Sequence, residues 1–185
     1  MTFYNDNIKV DYAVNKEELN MFTYRIKQFL WGVTAWFKPL DEEIINKYLN
    51  EDEKKIFLKL SLSEQQHSIR VCKDALKKNA ELNVNRYKMA KIALLHDVGK
   101  INGKLNIIEK SVIVILDKLT RGRLRKYDYN KKIDIYYNHP QKSVKILKEI
   151  NQYDKEFLEA IEKHHYKYKG NNIYLKIIKE CDDNN

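Results

Sequence analysis

Five histidines, His67, His96, His139, His164 and His165, are strung along a chain of 185 residues at intervals that suit a helix and its return. The intervals between candidate donors run from 18 residues (His164 to Asp182) to 42 (Asp97 to His139). With Asp97 directly after His96, and Asp182-Asp183 further on, the order is His … His-Asp … His … His-His … Asp. Mixed imidazole and carboxylate donors suit Fe, Mn, Zn, Co or Ni rather than Mg or Ca. Such a set requires several separated elements to converge on one point. Adjacent side chains on a helix point about 100° apart, so His96 and Asp97 can share a site only where a helix ends. Gly99 is expected to mark that end. A carboxylate has two oxygens, so Asp97 could bridge two ions.

Only five glycines and two prolines interrupt the chain, which leaves long stretches free of breakers. No segment alternates as a strand, and the fold class expected is all-α. The apolar residues of Met21–Phe37 recur at helical spacing, and Pro39 stops that helix. Asp41 is expected to cap a short helix holding Ile44, Ile45, Tyr48 and Leu49, and Asn50 with Glu53 to cap another. Ser63 with Gln66 should open a helix from about 64 to 80, with His67, Val71 and Ala75 inward. Asn85 should open the helix that leads to His96. Residues 105–119 read as a buried helix carrying Ile108, Val112, Ile115, Leu116 and Leu119, followed by a basic loop from Arg121 to Lys126. The last three helices are expected near 139–150, 154–168 and 173–182. Residues 1–61 are expected to form an N-terminal arm and accessory helices, and residues 62–185 the histidine-bearing domain, the whole making one compact unit.

Several classes are disfavoured. The net charge of +9 suits an anionic partner, but a chain rich in Lys, Asn, Ile and Tyr carries such a charge by composition alone. Basic and aromatic residues do not interleave as in a single-strand binder, so nucleic acid is not indicated. Cys72 and Cys181 are too few for a disulfide framework and read as reduced core residues. The opening residues lack the basic start and apolar core of a secretory signal. The longest apolar run, residues 111–116, falls far short of the roughly 20 residues of a membrane span. A cytoplasmic location is expected. Trp31 and Trp36 read first as helix packing, with a homodimer or membrane contact as a second use.

The ordered set resembles the HD-domain superfamily of metal-dependent phosphohydrolases. The resemblance rests on Gln66-His67-Ser68-Ile69-Arg70-Val71, His96-Asp97-Val98-Gly99-Lys100, Asn138-His139-Pro140, His164-His165 and Cys181-Asp182-Asp183, and spans about residues 62–185. It implies an all-α HD-domain helical bundle, here with an extra N-terminal helical region. It implies that His67, His96, Asp97 and Asp182 hold one divalent transition metal. His139 and His164 would hold a second, with Asp97 between the two, which makes a binuclear centre. Fe or Mn comes first, with Zn, Co or Ni as alternatives. Lys100 would contact phosphate, Arg70 would assist, and His165 would bind substrate or protonate the leaving group. The substrate implied is a small phosphorylated compound, a nucleotide above all, cleaved as a phosphomonoester or phosphodiester. Cyclic-di-GMP phosphodiesterases of this superfamily carry Gly-Tyr-Pro shortly after the double histidine. Here the chain continues Tyr166-Lys167-Tyr168-Lys169-Gly170. Within the superfamily, a di-iron oxygenase and a metal- or nucleotide-binding module without turnover are the competing functions.

Overall fold

The computed structural model describes residues 39–82, 84–103, 105 and 107–185. The expected helix at Met21–Phe37, with Trp31 and Trp36, lies outside the described residues. Those residues form eight α-helices and two 3₁₀ turns, with no strand among them, so the fold is all-α as expected.

Polar side chains at helix starts set the boundaries. Asp41 caps α1 (Glu42–Tyr48) by accepting from the Ile44 amide. Asn50 and Glu53 exchange side-chain-to-backbone hydrogen bonds at the head of α2 (Glu51–Phe57), which satisfies two orphan amides at once. The head of α3 (Leu62–Leu82) is held by Ser61 and Glu64, not by Ser63 and Gln66. Ser61 stands one turn ahead of an acid that can reach back to its amide, so the capping pair slides two residues towards the N-terminus. Asn85 caps α4 (Arg86–Leu95) as expected.

Helix α4 is the centre of the core. Met89, Ala90, Ile92, Ala93, Leu94 and Leu95 are all buried, the mark of a helix surrounded by others. It packs most extensively on α3, with α1, α2, α7 (Lys155–Lys163) and α8 (Ile173–Asp183) around it. Ile45, Tyr48, Leu49, Ile56, Phe57 and Leu60 share this core, so residues 42–60 are built into the histidine-bearing bundle. Cys72 and Cys181 are buried and unbridged.

Three elements differ from expectation, and one of them, α7, ends at Lys163 rather than near 168. Helix α6 runs from Lys131 to Ile150, with Pro140 inside it, rather than starting near 139. Helix α5 (Ile107–Leu119) forms, but its apolar stripe is not buried: Val112, Ile115, Leu116 and Leu119 are 48%, 57%, 42% and 74% exposed. The reason is its position. Lys110, Val114 and Asp117, on the opposite side of the helix, line a cavity, so α5 roofs an open space and not the core. A sharp turn follows, with Arg121 and Gly122 at φ 52° and 80°, a region in which glycine carries no steric penalty. The second 3₁₀ turn, Arg123–Tyr127, comes next and anchors itself by Leu124. No described helix is long and apolar enough to cross a membrane.

Glu53 is fully buried, yet its carboxylate is saturated by Lys91 Nζ at 2.8 Å, Tyr153 Oη at 2.8 Å and the Asn50 amide. It joins α2, α4 and the segment before α7. Removing one member of a buried charge pair strands the other. Glu53→Ala is expected to destabilise the protein by about 3 kcal/mol in urea unfolding, and a loss under about 1 kcal/mol would contradict this role.

Candidate metal centre

Four helix ends or turns converge beside α3. Helix α4 stops at His96, whose backbone is still helical, and Asp97 leaves the helix at φ −101°, ψ 4°. The break turns the two neighbouring side chains towards one point. The first 3₁₀ turn, Val98–Asn102, then lies on α6. Gly99 does not terminate α4. A Cβ there would sit 2.0 Å from the His139 carbonyl oxygen and 2.6 Å from the Ser143 amide, so this glycine lets two backbones touch. Ser143 fastens the contact. Its hydroxyl donates to the His96 carbonyl and accepts from the Gly99 amide, each at 2.8 Å. Sequence reasoning missed Ser143; its position one turn after His139 on α6 was the only hint.

Three imidazoles are held by one device. His96 Nδ1 lies 2.8 Å from the Ala93 carbonyl, and His164 Nδ1 lies 2.6 Å from the Ile161 carbonyl. Both are at helix C-termini, where carbonyls lack intrahelical partners. His139 sits in mid-helix, and there Pro140 creates the vacancy. Proline has no N–H for the Tyr136 carbonyl one turn back, and His139 Nδ1 lies 3.1 Å from that oxygen and 3.0 Å from that of Ile135. A carbonyl only accepts, so Nδ1 carries the proton and Nε2 presents a lone pair.

Those lone pairs point inward. His96 Nε2 and His164 Nε2 are buried without a hydrogen-bond partner, as is Asp97 Oδ1. Asp97 faces two ways: Oδ2 is 3.5 Å from His96 Nε2 and 3.9 Å from His67 Nε2, and Oδ1 is 3.2 Å from His139 Nε2. Asp182, from α8, has Oδ1 2.9 Å from His67 Nε2 and 3.5 Å from His96 Nε2. Asp183 is instead exposed and paired with Lys179. The potential donors fall into overlapping sets: His67, His96 and Asp97; His96, His164 and Asp182; and Asp97, His139, His164 and His165. Within each set the donor atoms lie within 4.8 Å of one another.

His165 therefore stands among the potential donors, its Nε2 3.0 Å from that of His139, although its side chain is 44% exposed. Lys100 Nζ is 2.5 Å from Asp97 Oδ2 and lines the cavity beside the histidines. Arg70 lies half-buried on α3 and is not among the residues lining that cavity.

The electrostatics suit a cation. Burial alone would raise both carboxyls, yet Lys100 and His96 hold Asp97, and the hydrogen bond with His67 and the charge of His96 hold Asp182, well below the usual carboxylate range. Burial lowers His67 and His139, and lowers His164 furthest, with His165 adding to it. His96 is raised, because Asp97 and Asp182 outweigh its burial. Two buried carboxylates held ionised among imidazoles are the donor set of a transition-metal site.

The family model of the HD domain matches residues 65–183. Neither a curated protein nor a solved structure matches the chain.

The purified protein, dialysed with Mn(II) or Fe(II), is expected to retain transition metal by plasma mass spectrometry, and His96→Ala or Asp97→Ala to lose it. A chain that stays metal-free after such loading would sink this assignment. Gly99→Ala is expected to push the first 3₁₀ turn off α6, costing about 2 kcal/mol of stability. It should lower metal content as well; unchanged values in both measurements would mean that the close approach does not position His139.

Proposed function

This chain belongs to the HD-domain family, and from that membership we propose that it is a metal-dependent phosphohydrolase acting on a small phosphoester, a nucleotide above all. The observation that carries the proposal is Asp97, a buried ionised carboxylate with one oxygen towards His67 and His96 and the other towards His139. Such a carboxylate suits two ions rather than one. His67, His96, Asp97 and Asp182 would hold the first, and Asp97, His139 and His164 the second. The convergence of His165 Nε2 on His139 Nε2 supports His165 as a further donor on the cavity side. Imidazole and carboxylate donors fit Fe or Mn, then Zn, Co or Ni. When bound, two such ions supply an activated water and Lewis-acid stabilisation of phosphoryl oxygens.

The chain's own groups do the rest. The Nδ1–carbonyl hydrogen bonds fix each ring before substrate arrives, and preorganised donors lose nothing to reorganisation in the transition state. Lys100 is held against Asp97 with its ammonium at the cavity wall. There it offers positive charge to a phosphoryl oxygen as charge builds on it. The cavity, about 430 Å³ in volume, is of the size that takes small-molecule ligands, on the order of 300–1,000 Å³. Leu105, Val114, Ile135 and Pro140 line part of it and suit the organic portion of an ester.

A phosphoester panel tests the proposal. The Mn- or Fe-loaded protein, with about two ions per chain, is expected to hydrolyse at least one class of phosphomonoester or phosphodiester, and Asp97→Ala to abolish turnover. Lys100→Ala should lower kcat by about 100-fold, the cost of one oxyanion-stabilising donor, with metal content unchanged. Metal lost from that variant would make Lys100 structural. A fully loaded protein inert across the panel would count against the phosphohydrolase reading.

A further inference from the structure

Helix α5 carries apolar residues on two sides. One stripe, Val112, Ile115, Leu116 and Leu119, faces outward, while the inward side buries Ile113 and presents Lys110 and Asp117 to the cavity with Val114 between them. A helix that serves only to cover a core turns its apolar face in. The inward placement of a cation and an acid therefore calls for an explanation in terms of what occupies the cavity.

We propose that Lys110 and Arg125 form a second anion subsite next to the metal centre, and that the site takes a substrate carrying two phosphate groups in series. The proposal deepens the phosphohydrolase reading and rests on it for the fate of the first phosphate.

Three observations converge. First, the cavity that Lys100 shares with the histidines is also lined by Lys110 and Arg125. Lys100 is paired with Asp97 at 2.5 Å, whereas no ion pair or hydrogen bond engages Lys110 among the described residues. Lys100 is also the largest influence on Lys110, lowering its ammonium below the ordinary lysine value. Asp97, Glu64 and Asp182 offset part of that repulsion, and an anion between the two ammonium groups would relieve the rest. Second, Arg125 is braced. Its guanidinium lies 5.3 Å from the centre of the Tyr137 ring, and the Tyr137 hydroxyl donates to Asp117, as does that of Tyr136 at 3.4 Å. Asp117 thus ties the second 3₁₀ turn and α6 to the helix that carries Lys110. Third, the cavity, about 430 Å³ in volume, has room for a second phosphate beside the apolar lining that suits the organic portion of an ester.

The chemistry follows from that arrangement. In hydrolysis the water oxygen bonds to the attacked phosphorus, the bond from that phosphorus to the bridging oxygen breaks, and the departing oxygen keeps the electron pair. With two phosphates in series that oxygen belongs to the second phosphate. Lys110 and Arg125 would offset its charge as it leaves, so they would bear on kcat as well as on KM.

The test compares inorganic pyrophosphate with inorganic phosphate, by calorimetry on the metal-loaded full chain, and nucleoside diphosphates with monophosphates by turnover. The wild-type protein is expected to bind pyrophosphate at least about tenfold more tightly than phosphate, one decade for a charge-assisted contact. Lys110→Ala should collapse that preference while leaving phosphate affinity and metal content unchanged, and Lys110→Arg should restore it. Equal losses for both anions in Lys110→Ala, or no loss for either, would overturn the subsite. Arg125→Gln gives a second reading, since it leaves Lys110 in place; it should lower kcat/KM for diphosphates more than for monophosphates, and equal effects on the two would count against the proposal. A protein that hydrolyses monophosphates normally but shows no pyrophosphate preference keeps the phosphohydrolase reading and loses the subsite. A protein inert to all esters, yet with a Lys110-dependent pyrophosphate preference, keeps the subsite and loses the hydrolase.

Discussion

The site depends on a small number of hydrogen bonds from imidazole Nδ1 to backbone carbonyls. An imidazole is a useful metal ligand only if one nitrogen is fixed as donor and the other left as a lone pair. Here the fixing group costs the fold nothing extra, because it is a carbonyl already without an intrahelical partner. His96 and His164 find theirs at the ends of α4 and α7. His139 has no helix end nearby, and Pro140 makes the equivalent vacancy in mid-helix by withholding an N–H. The His139-Pro140 dipeptide is thus a single device, in which the defect of one residue orients the other.

The backbone approach at Gly99 belongs to the same device. His139 is oriented within α6, but α6 must also be placed against the turn that carries Asp97. Gly99 permits contact with the His139 carbonyl, and Ser143 locks it by bonding to both the His96 carbonyl and the Gly99 amide. Asp97 can then face His67 and His96 with one oxygen and His139 with the other. The buried Glu53 cluster plays a comparable part on the far side of α4, through Lys91 and Tyr153. Through it, residues N-terminal to α3 hold the helix that ends in His96.

Much of this was legible from the sequence, and the exceptions have physical causes. Caps at Asp41, Asn50 with Glu53, and Asn85 could be read because each is a local exchange between a short polar side chain and amides within one turn. The all-α class followed from the scarcity of breakers. The gathering of the histidines was suggested by their order. What could not be read depended on partners distant in sequence. Gly99 looked like a helix stop because glycine after a helix usually is one; its neighbour His139 is 40 residues away. The helix expected near 139–150 starts eight residues earlier, at Lys131, because Pro140 is accommodated inside it and the carbonyl acceptor role of Tyr136 is invisible in a string of letters. The place of His165 beside His139 depends on how α7 meets α6, which no periodicity encodes.

Helix α5 is the sharpest case, and it carries a general point about periodicity. The stripe of Val112, Ile115, Leu116 and Leu119 is a sound amphipathic signal, and the helix it predicts exists. Periodicity reports which side of a helix is apolar, not what that side meets. Burying the stripe would have taken Lys110 and Asp117 out of the cavity lining and closed the cavity with aliphatic groups. The observed orientation leaves four large apolar side chains in water, which burial would favour by roughly 1.5–3 kcal/mol each. It keeps a cation beside the metal centre and an acid that anchors Tyr136 and Tyr137. A departure from hydrophobic burial on that scale, in the helix that roofs the cavity, is where a fold sets stability against function.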